Sequence, residues 1–113
     1  MYTYLREERF IMKNLELLKA RMTEDFNRFI TNEEMQIEYA EGIGFHEGRK
    51  YIKVTTKGSA WGFIVKSADA KFKEGDILKA ASWASPARNA ARANLFQPET
   101  FINVNWTGPG YLR

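Results

Sequence analysis

The sequence predicts an α+β domain in which an amino-terminal helix packs on a curved antiparallel sheet. Apolar residues recur at spacings of three and four over residues 15–30, which is typical of an amphipathic helix. Short segments of alternating polar and apolar residues follow, and turn-forming glycines separate them. The length of 113 residues suits one such domain. We place it at residues 12–113, with residues 1–11 as an optional extension.

The helix is predicted from a stripe of apolar side chains, Leu15, Leu18, Met22, Phe26, Phe29 and Ile30. Asn14 is suited to cap its amino terminus, and Thr31-Asn32 is suited to end it. Leu5 and Ile11 roughly continue the stripe backwards. Met12 is also suited to be an initiating methionine, in which case the first eleven residues are an extension.

The strands are predicted at residues 36–39, 51–56, 60–66, 77–81 and 101–106. Lys57-Gly58 predicts a hairpin between the second and the third. Gly62, inside the third, predicts a β-bulge or the close approach of another backbone. Ser85-Pro86 predicts the start of a short alanine-rich helix over residues 87–93, before the last strand. These elements suit either a small open barrel, SH3-like or OB-like, or a flatter sheet covered by the first helix.

Composition excludes several kinds of site. The chain has no cysteine, which excludes disulfides, a thiol nucleophile and cysteine-ligated metals. Its one histidine, His46, excludes a multi-histidine metal site, and we expect no metal and no cofactor. No apolar run approaches the roughly 20 residues of a membrane span, and the first residues carry charges where a signal peptide needs apolar ones. We therefore expect a soluble cytoplasmic protein with no membrane partner.

The net charge of +3 conceals a division along the chain. The residues before Gly48 include ten acidic and six basic side chains, a balance of −4. From Gly48 onward there are eleven basic and four acidic ones, a balance of +7. Either the two parts neutralise each other within the fold or a dimer, or the basic part is left to bind phosphate.

The basic part supplies a candidate site for single-stranded nucleic acid. Lysines fall on or beside the predicted strands, two arginines lie four residues apart on the predicted short helix, and tryptophans are interleaved with them. Cations bind the phosphates of a single strand while aromatic faces stack on its bases, at about 1–3 kcal/mol per base. The residues predicted to bind are Lys53, Lys57, Trp61, Lys66, Lys79, Trp83, Arg88 and Arg92. The competing interpretation is a solvated positive face over an aromatic core.

The catalytic interpretations of the sequence are weaker. His46 stands beside Glu47, but adjacent strand residues point to opposite faces, which favours a surface histidine over a general base. Asp69, Glu74 and Asp76 are interleaved with lysines and lack the spacing of a calcium loop. We therefore predict a protein that is not an enzyme. The remaining catalytic alternative is a ribonuclease that uses lysine, arginine and tyrosine in place of histidine.

A protein partner is the alternative to nucleic acid. Arg88 and Arg92 are also placed to pair with the acidic helix, within one chain or between two copies, which would support a homo-oligomer. The acidic helix and exposed aromatic residues together would suit a structural or adaptor protein.

Residues 49–108 carry a resemblance to known proteins. The strings RKYIKVTTKGSAWGFIV, FKEGDILKAASWASPARNAARANLF and VNWTG resemble small uncharacterised proteins encoded by tailed bacteriophages, including marine ones. The helix from Met12 also fits, so the resemblance covers about residues 12–108. It brings no activity and no site residue. It implies a phage or prophage origin, expression in the cytoplasm of a bacterial host, and an accessory role.

Overall fold

The computed structural model describes residues 2–110, with side chains from Phe10 onward. Its elements are helices α1 (Tyr2–Phe29) and α2 (Glu33–Glu41), strands β1 (Ile43–Glu47), β2 (Tyr51–Thr56), β3 (Ser59–Val65), β4 (Asp76–Lys79) and β5 (Ala93–Asn94), and a 3₁₀ helix (Pro98–Asn103). The strands form one antiparallel sheet in the order β1-β2-β3-β4-β5. The α+β class is confirmed, as an open sheet with an amino-terminal helix packed on it. Met1, the first residue of the predicted extension, lies outside the described residues.

The two faces of the sheet are covered by different parts of the chain. Alternate residues of a strand point to opposite faces. On the inner face, Ile64 and Ile77 are register partners and share a buried cluster with Leu18 of α1. On the outer face, Val65 and Leu78 form a smaller buried cluster with Phe72, which lies in the loop between β3 and β4. The helices therefore cover one face and loops cover the other.

Helix α1 is longer than the apolar stripe predicts. It continues without a break across residue 12, so Asn14 lies inside the helix and does not cap it. The Asn14 side chain is buried, and its amide donates to the carbonyl of Phe10 at 2.9 Å. Leu18 and Met22 are buried as the stripe predicts, whereas Phe29 is exposed. The predicted stop at Thr31-Asn32 is confirmed, because α1 ends at Phe29.

Residues 36–39, predicted as a strand, belong instead to helix α2. Asn32 caps this helix, since its side chain accepts a hydrogen bond from the backbone N–H of Met35 at 3.0 Å. Glu33 and Glu34 occupy the first turn, where negative charge stabilises a helix. Four alternating residues were too few to outweigh this cap. The first strand is β1, which contains Gly44 and was not among the predicted strands.

The predicted hairpin and bulge are both confirmed. Lys57 and Gly58 have φ of 36° and 86°, as a two-residue type I′ turn requires. Val54 pairs with Gly62 while Thr55 pairs with Ala60, which leaves one extra residue in β3. A Cβ on Gly62 would lie 2.8 Å from the carbonyl oxygen of Leu78 on β4. The glycine thus permits a close backbone approach at the bulge.

The predicted helix over residues 87–93 does not form. The backbone N–H of Ala87 donates to the carbonyl of Lys79 at 2.7 Å, and that of Arg92 donates to Ile77 at 2.9 Å. The backbone N–H groups of this segment therefore bond to carbonyls at the edge of β4 and not to carbonyls of a helix. These hydrogen bonds outweigh the helix propensity of the alanines. As a consequence, Arg88 and Arg92 do not share a helical face.

The prediction of a last strand over residues 101–106 is also wrong. The 3₁₀ helix begins with Pro98 at its first position, where a missing N–H costs nothing. A tight turn follows, in which the N–H of Asn105 donates to the carbonyl of Gly108 at 2.9 Å. Phe101 and Val104 are nevertheless buried in the cluster with α1. The pattern thus predicted burial correctly and the element incorrectly.

Within residues 2–110, no helix has both the length and the apolar character that crossing a bilayer requires.

Candidate nucleic-acid interface

The outer face of the sheet carries cations that lie over aromatic rings. Strand alternation places Tyr51 and Lys53 of β2 on this face, opposite Val65 and Phe63 of β3. The remaining members come from the β1–β2 turn, the β3–β4 loop and the irregular residues 80–92. We call the whole set the cation–aromatic cluster: Lys50, Tyr51, Lys53, Phe63, Lys71, Phe72, Trp83 and Arg88.

Trp83 is the exposed aromatic residue of this cluster. The ammonium nitrogen of Lys53 lies 3.3 Å from the centroid of the Trp83 ring and 6.0 Å from that of Phe63. The Trp83 side chain is 57% exposed, whereas Phe63 is buried in the sheet. A cation at this position is attracted by the electron-rich ring face. The result is an exposed aromatic ring with an ammonium group over one of its two faces.

Arg88 connects the irregular segment to the sheet. Its Nη2 donates to Oδ2 of Asp69 at 2.8 Å, and its Nη1 donates to the hydroxyl of Tyr51. The guanidinium carbon lies 4.8 Å from the centroid of the Phe72 ring. The backbone N–H of Phe72, followed by Arg88 and the N–H of Lys71, holds the pKa of Asp69 well below its ordinary value. The hydrogen bond to Asp69 is the main cause that raises the pKa of Arg88.

Lys50 and Lys71 complete the positive charge of the cluster. Both are exposed, and their ammonium groups lie 5.9 Å from the Tyr51 centroid and 5.6 Å from the Phe72 centroid, respectively. The cluster thus combines four cations with the one carboxylate of Asp69 that contacts Arg88. This excess of positive charge suits a ligand with several phosphates.

Three of the eight residues predicted to bind, Lys53, Trp83 and Arg88, lie together in the cluster. Lys57 and Lys66 lie elsewhere and form ion pairs with Glu38 and Glu47. These two pairs join the basic part of the chain to the acidic part. Lys79 ends β4 and is half-buried.

The structure corrects the prediction for Trp61 and Arg92. Trp61 is 3% exposed, and its indole N–H donates to the carbonyl of Asn105 at 2.9 Å. Arg92 is 8% exposed, and its guanidinium donates to the carbonyl of Gly110 at 2.6 Å and to the Asn89 side chain at 3.0 Å. Neither side chain is available to a ligand in this fold. Among the described residues of this one chain, Arg88 and Arg92 also do not pair with the acidic helix, so the alternative of pairing within the chain is wrong.

Five members of the cluster are not among the residues predicted to bind: Lys50, Tyr51, Phe63, Lys71 and Phe72. Tyr51 and Phe63 could have been found from strand alternation, since Lys53 and Phe63 face each other across the β2–β3 hairpin. Lys71 and Phe72 lie in a loop, where no periodicity indicates which way a side chain points. Phe72 is buried and fixes the position of this loop on the outer face.

His46 and Asp76 have structural contacts. His46 Nε2 and Thr55 Oγ1 share a hydrogen bond of 2.9 Å on the outer face. Asp76 is buried and accepts hydrogen bonds from the N–H of Lys73 at 3.0 Å and the Asn94 side chain at 2.9 Å. In the part of the chain whose side chains are described, no three histidine or carboxylate groups come together as a metal site.

Fold and site together define a small α+β protein with helices on one face of an open sheet and a cation–aromatic cluster on the other. A family model matches residues 4–112, and the chain belongs to that family, which is described as a family of unknown function (DUF7717). No curated protein and no solved structure matches the chain significantly.

Proposed function

We propose that this protein is a non-enzymatic module that binds single-stranded nucleic acid through the cation–aromatic cluster. The observation that best supports the proposal is Trp83, which is 57% exposed and has the Lys53 ammonium 3.3 Å from its ring centroid. A base that stacks on such a ring gains about 1–3 kcal/mol. The neighbouring ammonium attracts the phosphate of the same nucleotide.

The chemistry of the cluster favours recognition without sequence preference. Aromatic faces stack on every base, and ammonium groups contact phosphates that carry no sequence information. Each phosphate neutralised on a single strand lowers the slope of log affinity against log salt by about 0.7. Contacts from Lys50, Lys53 and Lys71 therefore correspond to a slope of about −2.

Fluorescence anisotropy with short labelled DNA and RNA single strands tests the proposal over a range of salt concentrations. We expect affinity that falls with salt at a slope of about −2. Trp83→Ala should weaken binding about tenfold, because it removes the stacking surface. Since Trp83 is exposed, the variant should unfold at nearly the same temperature as the wild type.

A charge-matched pair of variants provides the control. Lys53→Ala and Lys13→Ala each remove one positive charge, but Lys13 lies exposed on α1. Only Lys53→Ala should weaken binding severalfold. Absence of binding at low salt, or equal losses from both variants, would refute the proposal. Shortened RNA after incubation would instead support the alternative of a ribonuclease.

The setting that we propose is that of a phage-type accessory protein in the cytoplasm of a bacterial host. It is supported by the resemblance of residues 49–108 to proteins of tailed bacteriophages. The genomic position of the gene that encodes this protein tests the setting. Neighbouring phage genes would support it, and neighbouring bacterial housekeeping genes would contradict it.

A homo-oligomer formed through the helical side is a second candidate. Four of the described large apolar side chains of α1, those of Phe10, Met12, Leu17 and Phe29, are exposed, and Ile102 of the 3₁₀ helix is 79% exposed. Exposed apolar side chains in such number favour a protein contact. Light scattering should then show a dimer that dissociates on dilution and is weakened by Leu17→Lys. A monomer at every concentration would exclude it.

A further inference from the structure

Asp69 forms a hydrogen bond with only one of the guanidinium nitrogens of Arg88. Oδ1 of Asp69 accepts the backbone N–H groups of Lys71 and Phe72 at 2.9 and 2.8 Å, while Oδ2 accepts Nη2 of Arg88 at 2.8 Å. Asp69 thus holds Arg88 through one oxygen. A guanidinium can bind a phosphate through two parallel hydrogen bonds, which is the stronger arrangement.

The Arg88–Asp69 pair is also accessible and weakly held. The two side chains are 38% and 33% exposed. Ion pairs at such exposure contribute little net free energy, because water competes for both charges. A phosphate that arrives with a nucleic-acid strand can therefore replace the carboxylate.

Two contacts other than the one with Asp69 also orient Arg88. The ring of Phe72 lies 4.8 Å from its guanidinium carbon, and the Tyr51 hydroxyl accepts a hydrogen bond from Nη1. Phe72 is itself buried against the sheet. These two contacts preorganise the guanidinium, which reduces the entropy lost when a ligand binds.

We infer that Arg88 is a phosphate-binding subsite and that Asp69 is an internal competitor, which occupies the guanidinium until a phosphate displaces it. The inference extends the proposed function and rests on it where the phosphate belongs to a nucleic-acid strand. Free inorganic phosphate presents the same chemistry and serves as an independent probe of the subsite.

Asp69→Asn is the variant that separates competition from structure. The asparagine keeps an Oδ1 acceptor for the N–H groups of Lys71 and Phe72, but its amide nitrogen cannot accept a hydrogen bond from Arg88. We expect it to bind single strands about fivefold more tightly than the wild type, since a competing exposed ion pair is removed. Adding Arg88→Ala to this variant should abolish the gain.

Glu38→Gln is the matched control. It removes a carboxylate paired with Lys57 at the far end of the β2–β3 hairpin and changes the net charge equally. We expect it to change affinity little. An equal gain from Glu38→Gln, or no gain from Asp69→Asn when the wild type binds, would refute the subsite while leaving the proposed function intact.

Titration with inorganic phosphate distinguishes the two proposals. The NMR signals of the Arg88 side-chain N–H groups should shift more in Asp69→Asn than in the wild type. The backbone N–H signals of Lys71 and Phe72, which bond to residue 69, should also shift in Asp69→Asn, and they should shift less when Arg88→Ala is added. If phosphate shifts these signals but no single strand binds, the subsite stands and the proposed function fails. If neither ligand acts, both fail.

Discussion

The three tryptophans show how strongly the role of a residue depends on its place in the sheet. Trp61 is buried at the bulge of β3, with its indole N–H on the carbonyl of Asn105. Trp106 is half-buried, and its ring meets Phe26 edge to face with centroids 5.1 Å apart. Trp83 is exposed beside Lys53. One side chain type therefore serves the core twice and the candidate interface once.

Among the residues that the structure describes, Lys57 is the one non-glycine residue with a positive φ, of 36°. A branched or long side chain is disfavoured there, whereas asparagine tolerates it and is preferred before glycine in a type I′ turn. We predict that Lys57→Asn raises the free energy of unfolding by about 0.5 kcal/mol, after loss of the exposed pair with Glu38. Urea unfolding measures it.

Lys57→Gln is the control for this turn, since it also loses the charge but gains no tolerance of positive φ. It should be less stable than the wild type by a few tenths of a kcal/mol. Equal stabilities of the two variants would contradict the explanation by backbone strain.

Single residues of the candidate site were only partly predictable. Composition and position indicated Lys53, Trp83 and Arg88, all of which lie in the cation–aromatic cluster. Trp61 and Arg92 carry the same chemical groups, yet they are buried. The difference arises from the bulge in β3 and from the pairing of Arg92 with β4, and both are tertiary features that no local pattern reveals.

At the level of elements, the bulge at Gly62 controls how β3 lies against β4. An added methyl group there would lie 2.8 Å from the carbonyl oxygen of Leu78 and 3.0 Å from Pro109. We predict that Gly62→Ala lowers the free energy of unfolding by about 1–3 kcal/mol, because buried backbone must shift. Urea unfolding with tryptophan fluorescence measures the loss.

Gly108→Ala is a suitable control, because a Cβ at Gly108 meets nothing within 4 Å. Its free energy of unfolding should change by less than about 0.5 kcal/mol. A loss as large as that of Gly62→Ala would show that glycine flexibility, and not the close approach at β4, is the cause.

Elements with strong local signals were predictable from the sequence. The β2–β3 hairpin has alternating strands and a Lys57-Gly58 turn, and it forms as predicted. The alanine-rich residues 87–93 have a local preference for helix, but the free edge of β4 binds their backbone N–H groups. Helix α2 was missed because its Asn32 cap was interpreted as the end of α1.

At the level of the whole molecule, the acidic part of the chain (before Gly48) and the basic part (from Gly48 onward) are only partly separated onto the two faces of the sheet. The pairs Lys57–Glu38 and Lys66–Glu47 join the two parts of the chain. Arg88 pairs with Asp69, which also belongs to the basic part of the chain, so this ion pair does not join the two parts. The fold thus neutralises some lysines and leaves the outer face positive, an outcome that charge counting could not decide.

The stability of the whole fold should decline in alkali because of Tyr39. Its ring stacks on Phe26 at 4.2 Å, and its hydroxyl donates to the carbonyl of Trp106 at 3.2 Å. Burial, and then the charge of Asp25, raises the pKa of Tyr39 well above its ordinary value. The unfolded chain therefore ionises first, and stability should fall as the pH rises above about 10.

Urea unfolding at about pH 8 and about pH 11 checks this expectation. Tyr39→Phe cannot ionise at this position and should lose less stability over the same interval. Equal losses in both proteins would assign the alkaline effect to other groups.

The packing of α1 against the last described residues has a consequence for folding during synthesis. Asp25 accepts the backbone N–H of Trp106, and Arg21 donates to the carbonyl of Phe101, so α1 is held by segments about 80 residues away. In the sheet, each strand pairs with the strand that follows it in the sequence. The sheet can therefore assemble hairpin by hairpin as the chain leaves the ribosome. Helix α1 is synthesised about 80 residues before the segments that hold it. Until they emerge, its apolar stripe is open to chaperones and to other nascent chains.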